Sequence, residues 1–75
     1  MTDPQLLTRI DPAANMRRYY RLSVEPGLFG DWGVVREWGR IGTSGHTRTD
    51  WYEGEADAAI ALDRLAAQKV KRGYR

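Results

Sequence analysis

Trp32-Gly33-Val34-Val35-Arg36-Glu37-Trp38-Gly39-Arg40 alternates without a break. On an extended chain Trp32, Val34, Arg36, Trp38 and Arg40 share one face, and Gly33, Val35, Glu37 and Gly39 share the other. Aromatic and branched residues at period two predict a half-buried β-strand. The preceding stretch, Arg17 to Glu25, repeats the pattern. Met16, Arg18, Tyr20, Leu22 and Val24 face one way, Arg17, Tyr19, Arg21 and Ser23 the other. Pro26-Gly27 ends that strand, and Gly30-Asp31 supplies the turn chemistry of a hairpin loop. Downstream, Ile41-Gly42-Thr43-Ser44-Gly45 reads as a second turn and His46 to Tyr52 as a further strand. Upstream, Gln5 to Ile10 reads as a short strand closed by Asp11-Pro12.

The period then changes. From Gly54 to about Arg72 the residues Ala58, Ala59, Leu62, Leu65, Ala66 and Val70 recur at helical spacing, which predicts a helix lying on the sheet. Glu55 and Asp57 in its first turn and Lys69, Lys71 and Arg72 in its last complement the helix dipole. Gly73 suits the left-handed position just past a helix end. The expected fold is α+β: an antiparallel sheet of about four or five strands with one C-terminal helix packed on a face. With 75 residues there is room for a single domain, 1–75, with its core at about 5–74.

Composition excludes several classes of function. The chain has no cysteine and one histidine, His46, so neither a thiolate nor a histidine-rich metal site can be assembled. No metal and no cofactor is expected. The lack of cysteine suits a reducing cytoplasm, the expected location. The first residues, Met1 to Gln5, do not resemble a signal peptide, and the longest apolar run, Ala58 to Leu62, is far too short for a membrane span. Ser44, His46 and Asp50 are close in sequence but form no oriented triad. The acids Glu53, Glu55 and Asp57 belong at a helix start. Gly39 to Gly45 is glycine-rich, yet it matches no phosphate-loop pattern and lies between strands. The chain is not expected to be an enzyme.

Charge placement carries more content. The formal net charge is +2, and arginine supplies most of the twelve basic side chains. Its planar fork suits phosphate and base edges. Arg36, Trp38 and Arg40 point the same way on their strand, with Arg48 on the neighbouring one, so a flat ring flanked by guanidinium groups could receive a base and its phosphates. The same face also admits Trp38 as a core residue with its arginines reaching outward. Arg17, Tyr19 and Arg21 repeat the charge–aromatic–charge arrangement, either as a second contact surface or as a solvated face. Lys69 to Arg75 carries four basic groups and no acid, as a binding segment or as an ordinary basic helix end.

Val34-Val35-Arg36-Glu37-Trp38-Gly39-Arg40-Ile41-Gly42 resembles the signature of the WGR domain, whose motif is Trp38, Gly39 and Arg40 here. Arg18-Tyr19-Tyr20-Arg21-Leu22, the pair Trp51-Tyr52, the acid-opened helix and the ending Lys71-Arg72-Gly73-Tyr74 are similar to that family too. The likeness runs from about residue 5 to 74. The family occurs in DNA-dependent poly(ADP-ribose) polymerases, in proteins related to a molybdate metabolism regulator and as short bacterial proteins. In the polymerases the motif tryptophan packs on a terminal nucleotide at a DNA break, and the motif arginine links the domain to its neighbours and to the DNA region. The resemblance therefore implies a stacking role for Trp38 and a phosphate or relay role for Arg40. It implies no ADP-ribosyl transfer, because the polymerases' catalytic domain has no counterpart in the chain.

The expected function is non-catalytic binding of nucleic acid, DNA rather than RNA, at ends or nicks, through Trp38, Arg40, Arg36, Arg48, Arg17, Tyr19, Arg21 and Lys69. The alternative is a protein–protein adaptor using the same tryptophan and arginine surface, since both residue types are enriched at interface hot spots. Salt separates the two: counterion release makes nucleic-acid affinity fall steeply with ionic strength. No membrane partner is expected.

Overall fold

The structure, a computed structural model, describes residues 2–75. Four strands follow in order: β1 (Gln5–Asp11), β2 (Met16–Pro26), β3 (Trp32–Arg40) and β4 (His46–Tyr52), with a short 3-10 turn, Pro12–Ala14, between the first two. They form one antiparallel sheet in the order β1-β2-β3-β4, each strand beside its sequence neighbour. One helix, α1 (Glu55–Lys71), crosses a face. Among the described residues no helix is long and apolar enough to cross a membrane.

Register sets which residues meet the helix. Tyr20 lies opposite Trp38, Leu22 opposite Arg36 and Val24 opposite Val34 across β2 and β3. Across β3 and β4, Arg36 faces Arg48 and Trp38 faces His46. Residues directly opposite share a face, so all of these point toward α1. Tyr20, Leu22 and Val34 close against Ala58, Leu62 and Ala66 to make the core. The small side chains Ala58 and Ala66, one turn either side of Leu62, let the helix sit close and bury Leu62 completely. Burying a leucine in this way stabilises by about 2 kcal/mol.

The helical stripe is narrower than its sequence period suggests. Leu65 packs at the margin of the core, while Val70 stands exposed rather than against the sheet. Its expected place is taken by Lys69 and Tyr74, whose side chains cover Tyr20. The helix starts at Gly54 without a side-chain cap, and the acids Glu55 and Asp57 in its first turn complement the helix dipole. At the other end Gly73 has φ +97°, a conformation open to glycine at no steric cost. That turn carries the chain back onto β1, where Thr8 and Arg75 exchange two backbone hydrogen bonds of 2.9 and 2.8 Å. The sheet thus has four strands, with the outer edge of β1 covered at its middle by the chain's last residue.

Candidate nucleic-acid interface

Trp38, Gly39 and Arg40 end β3, and each holds the local structure in a different way. Gly39 lets the following turn fold back on the strand. A Cβ there would stand 2.8 Å from the Gly45 Cα, a backbone atom that cannot yield without moving the turn. Gly45 itself has φ +65° and packs on the Trp38 carbonyl and the Tyr19 hydroxyl. Arg40 reaches the corner between β1 and β2. Its guanidinium donates to the Asn15 carbonyl at 3.2 Å and to Asn15 Oδ1 at 3.3 Å. Asn15, at φ 50°, is the one non-glycine residue in the left-handed region among those described. The motif arginine thus ties the end of β3 to the chain reversal before β2.

Trp38 is half-buried. One side of its ring stacks on Tyr20, with centroids 6.0 Å apart and planes 17° apart, and His46 lies tilted 5.8 Å away. Tyr74 meets Tyr20 edge-on at 6.2 Å. The two readings of Trp38 are therefore combined: it leans on the core and also borders open space. That space is two adjoining hollows. One, of about 460 Å³, lies beside Gly39, Arg40, His46, Asn15 and Met16. The other, of about 370 Å³, has Tyr20, Trp38 and Tyr74 among its walls and gathers six cationic side chains: Arg9, Arg18, Arg36, Arg48, Lys69 and Arg72. No carboxylate lines it.

The positive charge of this cleft is only partly compensated. The Lys69 ammonium sits 4.4 Å above the Tyr20 ring, a cation–π contact. Burial, then the charges of Arg72 and Arg36, push its pKa below the usual lysine value. Arg36 is anchored by Asp50, 3.1 Å from its Nη2, but its Nε is buried with no hydrogen-bond partner among the described residues. Asp50 also takes the Arg48 Nε at 3.1 Å. One carboxylate thus orients two guanidinium groups and offsets one of the six positive charges, leaving the cleft strongly positive. Such a cleft is suited to an anion with several oxygens.

The structure divides the residues singled out from sequence. Arg36, Trp38, Arg48 and Lys69 converge on the cleft, and Arg40 stands beside it in the adjoining hollow. Arg17, Tyr19 and Arg21 lie on the opposite face of the sheet, following their register with Ile41, Gly39 and Glu37. There Arg21 pairs with Glu37 at 3.5 Å, and the Tyr19 hydroxyl donates to the Ser44 carbonyl at 3.3 Å. Four cleft residues were not singled out, Arg9, Arg18, Tyr20 and Tyr74, and Arg72 entered only within the basic segment Lys69 to Arg75. For Arg18 the signal was available, since it alternates in step with Tyr20. Arg9, Arg72 and Tyr74 enter only because the C-terminal segment returns to β1.

A family model described as the WGR domain matches residues 4–75. Among curated proteins, an uncharacterized protein, y4dW, of Sinorhizobium fredii (strain NBRC 101917 / NGR234) is 51% identical over 67 residues. That match covers 89% of this chain and 33% of the relative, so the chain spans about a third of that protein's length. No solved structure matches the chain.

Proposed function

The chain belongs to the WGR domain family, and from that premise we propose that it is a non-catalytic module that binds DNA, at ends or nicks, in the cleft beside Trp38. The observation that carries this reading is the set of six cations around an aromatic wall with no carboxylate among them. In a free protein such a cluster is held together against its own repulsion, and phosphate oxygens relieve it. The half-exposed ring of Trp38 supplies a flat surface for a sugar or base, and stacking of this kind tolerates any sequence. Arg36, Arg48 and Lys69 contact phosphates from the cleft, joined by Arg9, Arg18 and Arg72. Arg40, held on Asn15, fixes the strand end and presents its remaining N–H groups along the same path. Contacts of this kind to phosphates position a backbone and carry no sequence information.

Fluorescence-anisotropy titrations of blunt, nicked, circular and single-stranded DNA, with an RNA duplex of the same sequence, test this at two salt concentrations. The expected result is tighter binding to blunt or nicked DNA than to the closed circle, with a steep fall as salt rises. Equal affinity for circular and broken DNA removes the preference for ends. Affinity that is absent, or unmoved by salt, removes the DNA-binding reading and favours the adaptor.

A further inference from the structure

The two outer edges of the sheet are not alike. That of β1 is covered by the backbone pairing of Thr8 with Arg75, whereas β4 pairs with β3 on one side and with nothing on the other among the described residues. An open edge strand is a template for another strand. Natural edges are usually blunted by proline, bulges or like charges, and His46-Thr47-Arg48-Thr49-Asp50-Trp51-Tyr52 has no proline, no glycine and one charge of each sign at its centre.

We infer that β4 is a self-association edge: two copies pair their β4 strands antiparallel about a two-fold axis at Thr49, joining the two sheets into one of eight strands. The order of charges along β4 selects both the partner and the register. The strand's one cation, Arg48, lies toward its start and its one carboxylate, Asp50, toward its end, with Glu53 just beyond. With the axis at Thr49, Arg48 of each copy stands opposite Asp50 of the other, Thr47 opposite Trp51 and His46 opposite Tyr52. Moving the axis to Arg48 or to Asp50 sets that residue against its own like-charged copy, which is unfavourable. A slip by one residue places the two helices on opposite faces and separates the charges. The pairing at Thr49 is thus the self-complementary one, as a two-fold interface requires.

The surroundings agree with this register. A groove of about 660 Å³ runs between the end of β4 and α1, lined by Trp51, Tyr52 and Ile60 together with the carboxylates Glu53 and Asp57 and the cation Arg64. The start of the second copy's β4 would enter beside this groove. Ile60 and Trp51 are exposed in the single chain, and both lie beside this edge. Arg48, with 65% of its side chain exposed, has N–H groups to spare beyond its contact with Asp50. The assembly sets both basic clefts on the same face. From strand spacing and rise, the two Trp38 residues would be about 25 Å apart. The inference does not depend on what the clefts bind.

Sedimentation equilibrium of the parent chain from micromolar to millimolar concentration is the first test. A concentration-dependent monomer–dimer equilibrium is expected, and a monomer throughout overturns the inference. R48E and D50R should each abolish the dimer, and an equimolar mixture should regain it, because the reversed charges then face each other. A dimer unaffected by R48E, or a mixture of two folded variants that stays monomeric, also overturns it. Because D50R removes the partner of Arg36, circular dichroism must show that it folds. If it does not, amide exchange on the parent decides the matter. The outward amides of β4 should exchange more slowly at high concentration than at low, and equal rates overturn the inference.

Discussion

Replacing Lys69 by methionine separates binding from folding more cleanly than any other change in the cleft. Methionine keeps a long apolar stem, and its sulfur can rest against the Tyr20 ring where the ammonium now lies 4.4 Å from the centroid. What is lost is the charge. Each phosphate contact contributes about 0.9 to the slope of log affinity against log salt. With all six cleft cations on phosphates, affinity would fall about 1,800-fold between about 50 and 200 mM salt, and with five about 500-fold. The variant should therefore bind less tightly at low salt and lose about 3.5-fold of the parent's salt response. Stability should move the other way. Burial and the charges of Arg72 and Arg36 lower the Lys69 pKa, so the folded chain gives up this proton more readily than the unfolded one. The ammonium thus costs stability at neutral pH, and the cost fades as pH rises from the folded pKa toward the unfolded value near 10.5. Lys69→Met should melt no lower than the parent at neutral pH. A bound phosphate favours the ammonium, so the parent's affinity should decline with alkaline pH more than the variant's does. Anisotropy at four salt concentrations, with melting curves alongside, reads all of this. An unchanged slope means that Lys69 touches no phosphate. A clearly lower melting temperature means that the contact with Tyr20 outweighs the repulsion.

Trp38→Ala should weaken DNA binding by about 1–3 kcal/mol while leaving the salt slope in place, because stacking is lost and no phosphate contact is; parallel melting curves are needed, since the ring also leans on Tyr20. A folded variant that binds as tightly as the parent would refute the stacking role. Leu62→Ala should cost roughly 2–5 kcal/mol in urea unfolding, because the side chain is fully buried; an unchanged midpoint would contradict the packing of α1. Gly39→Ala should lower the melting temperature without altering any cation, because the added methyl group meets the Gly45 backbone at 2.8 Å. A variant as stable as the parent would show that the turn yields freely.

The strands, the helix and the face that each buries were legible in the sequence because they follow from short-range periodicity. Alternation along β2 and β3 assigned Tyr20, Leu22 and Val34 to one side, and the helical stripe through Ala58, Leu62 and Ala66 supplied what covers them. A side chain's face is a local property, repeated every two or 3.6 residues. Glycine placement was equally local: Gly73 at the helix end and Gly42 and Gly45 in the turn all adopt the positive φ that their positions require. The WGR signature could be read in the same way, since its residues are contiguous.

The make-up of the cleft was decided only by tertiary structure. Arg9 on β1 and Arg72 beyond α1 become neighbours because Gly73 turns the chain and Arg75 pairs with Thr8. Tyr74 comes to rest on Tyr20 by the same return. No spacing in the sequence encodes contacts between residues near opposite ends of a chain; they arise when register and helix docking are both set. Parity also separated what composition had grouped. Arg17, Tyr19 and Arg21 look like Arg36, Trp38 and Arg40 in type and spacing, yet antiparallel register turns them to opposite faces. The sequence by itself determined which residues alternate and which stripe is apolar. The fold decided which charges share one space, because electrostatic meaning depends on distance through space, and only packing supplies that.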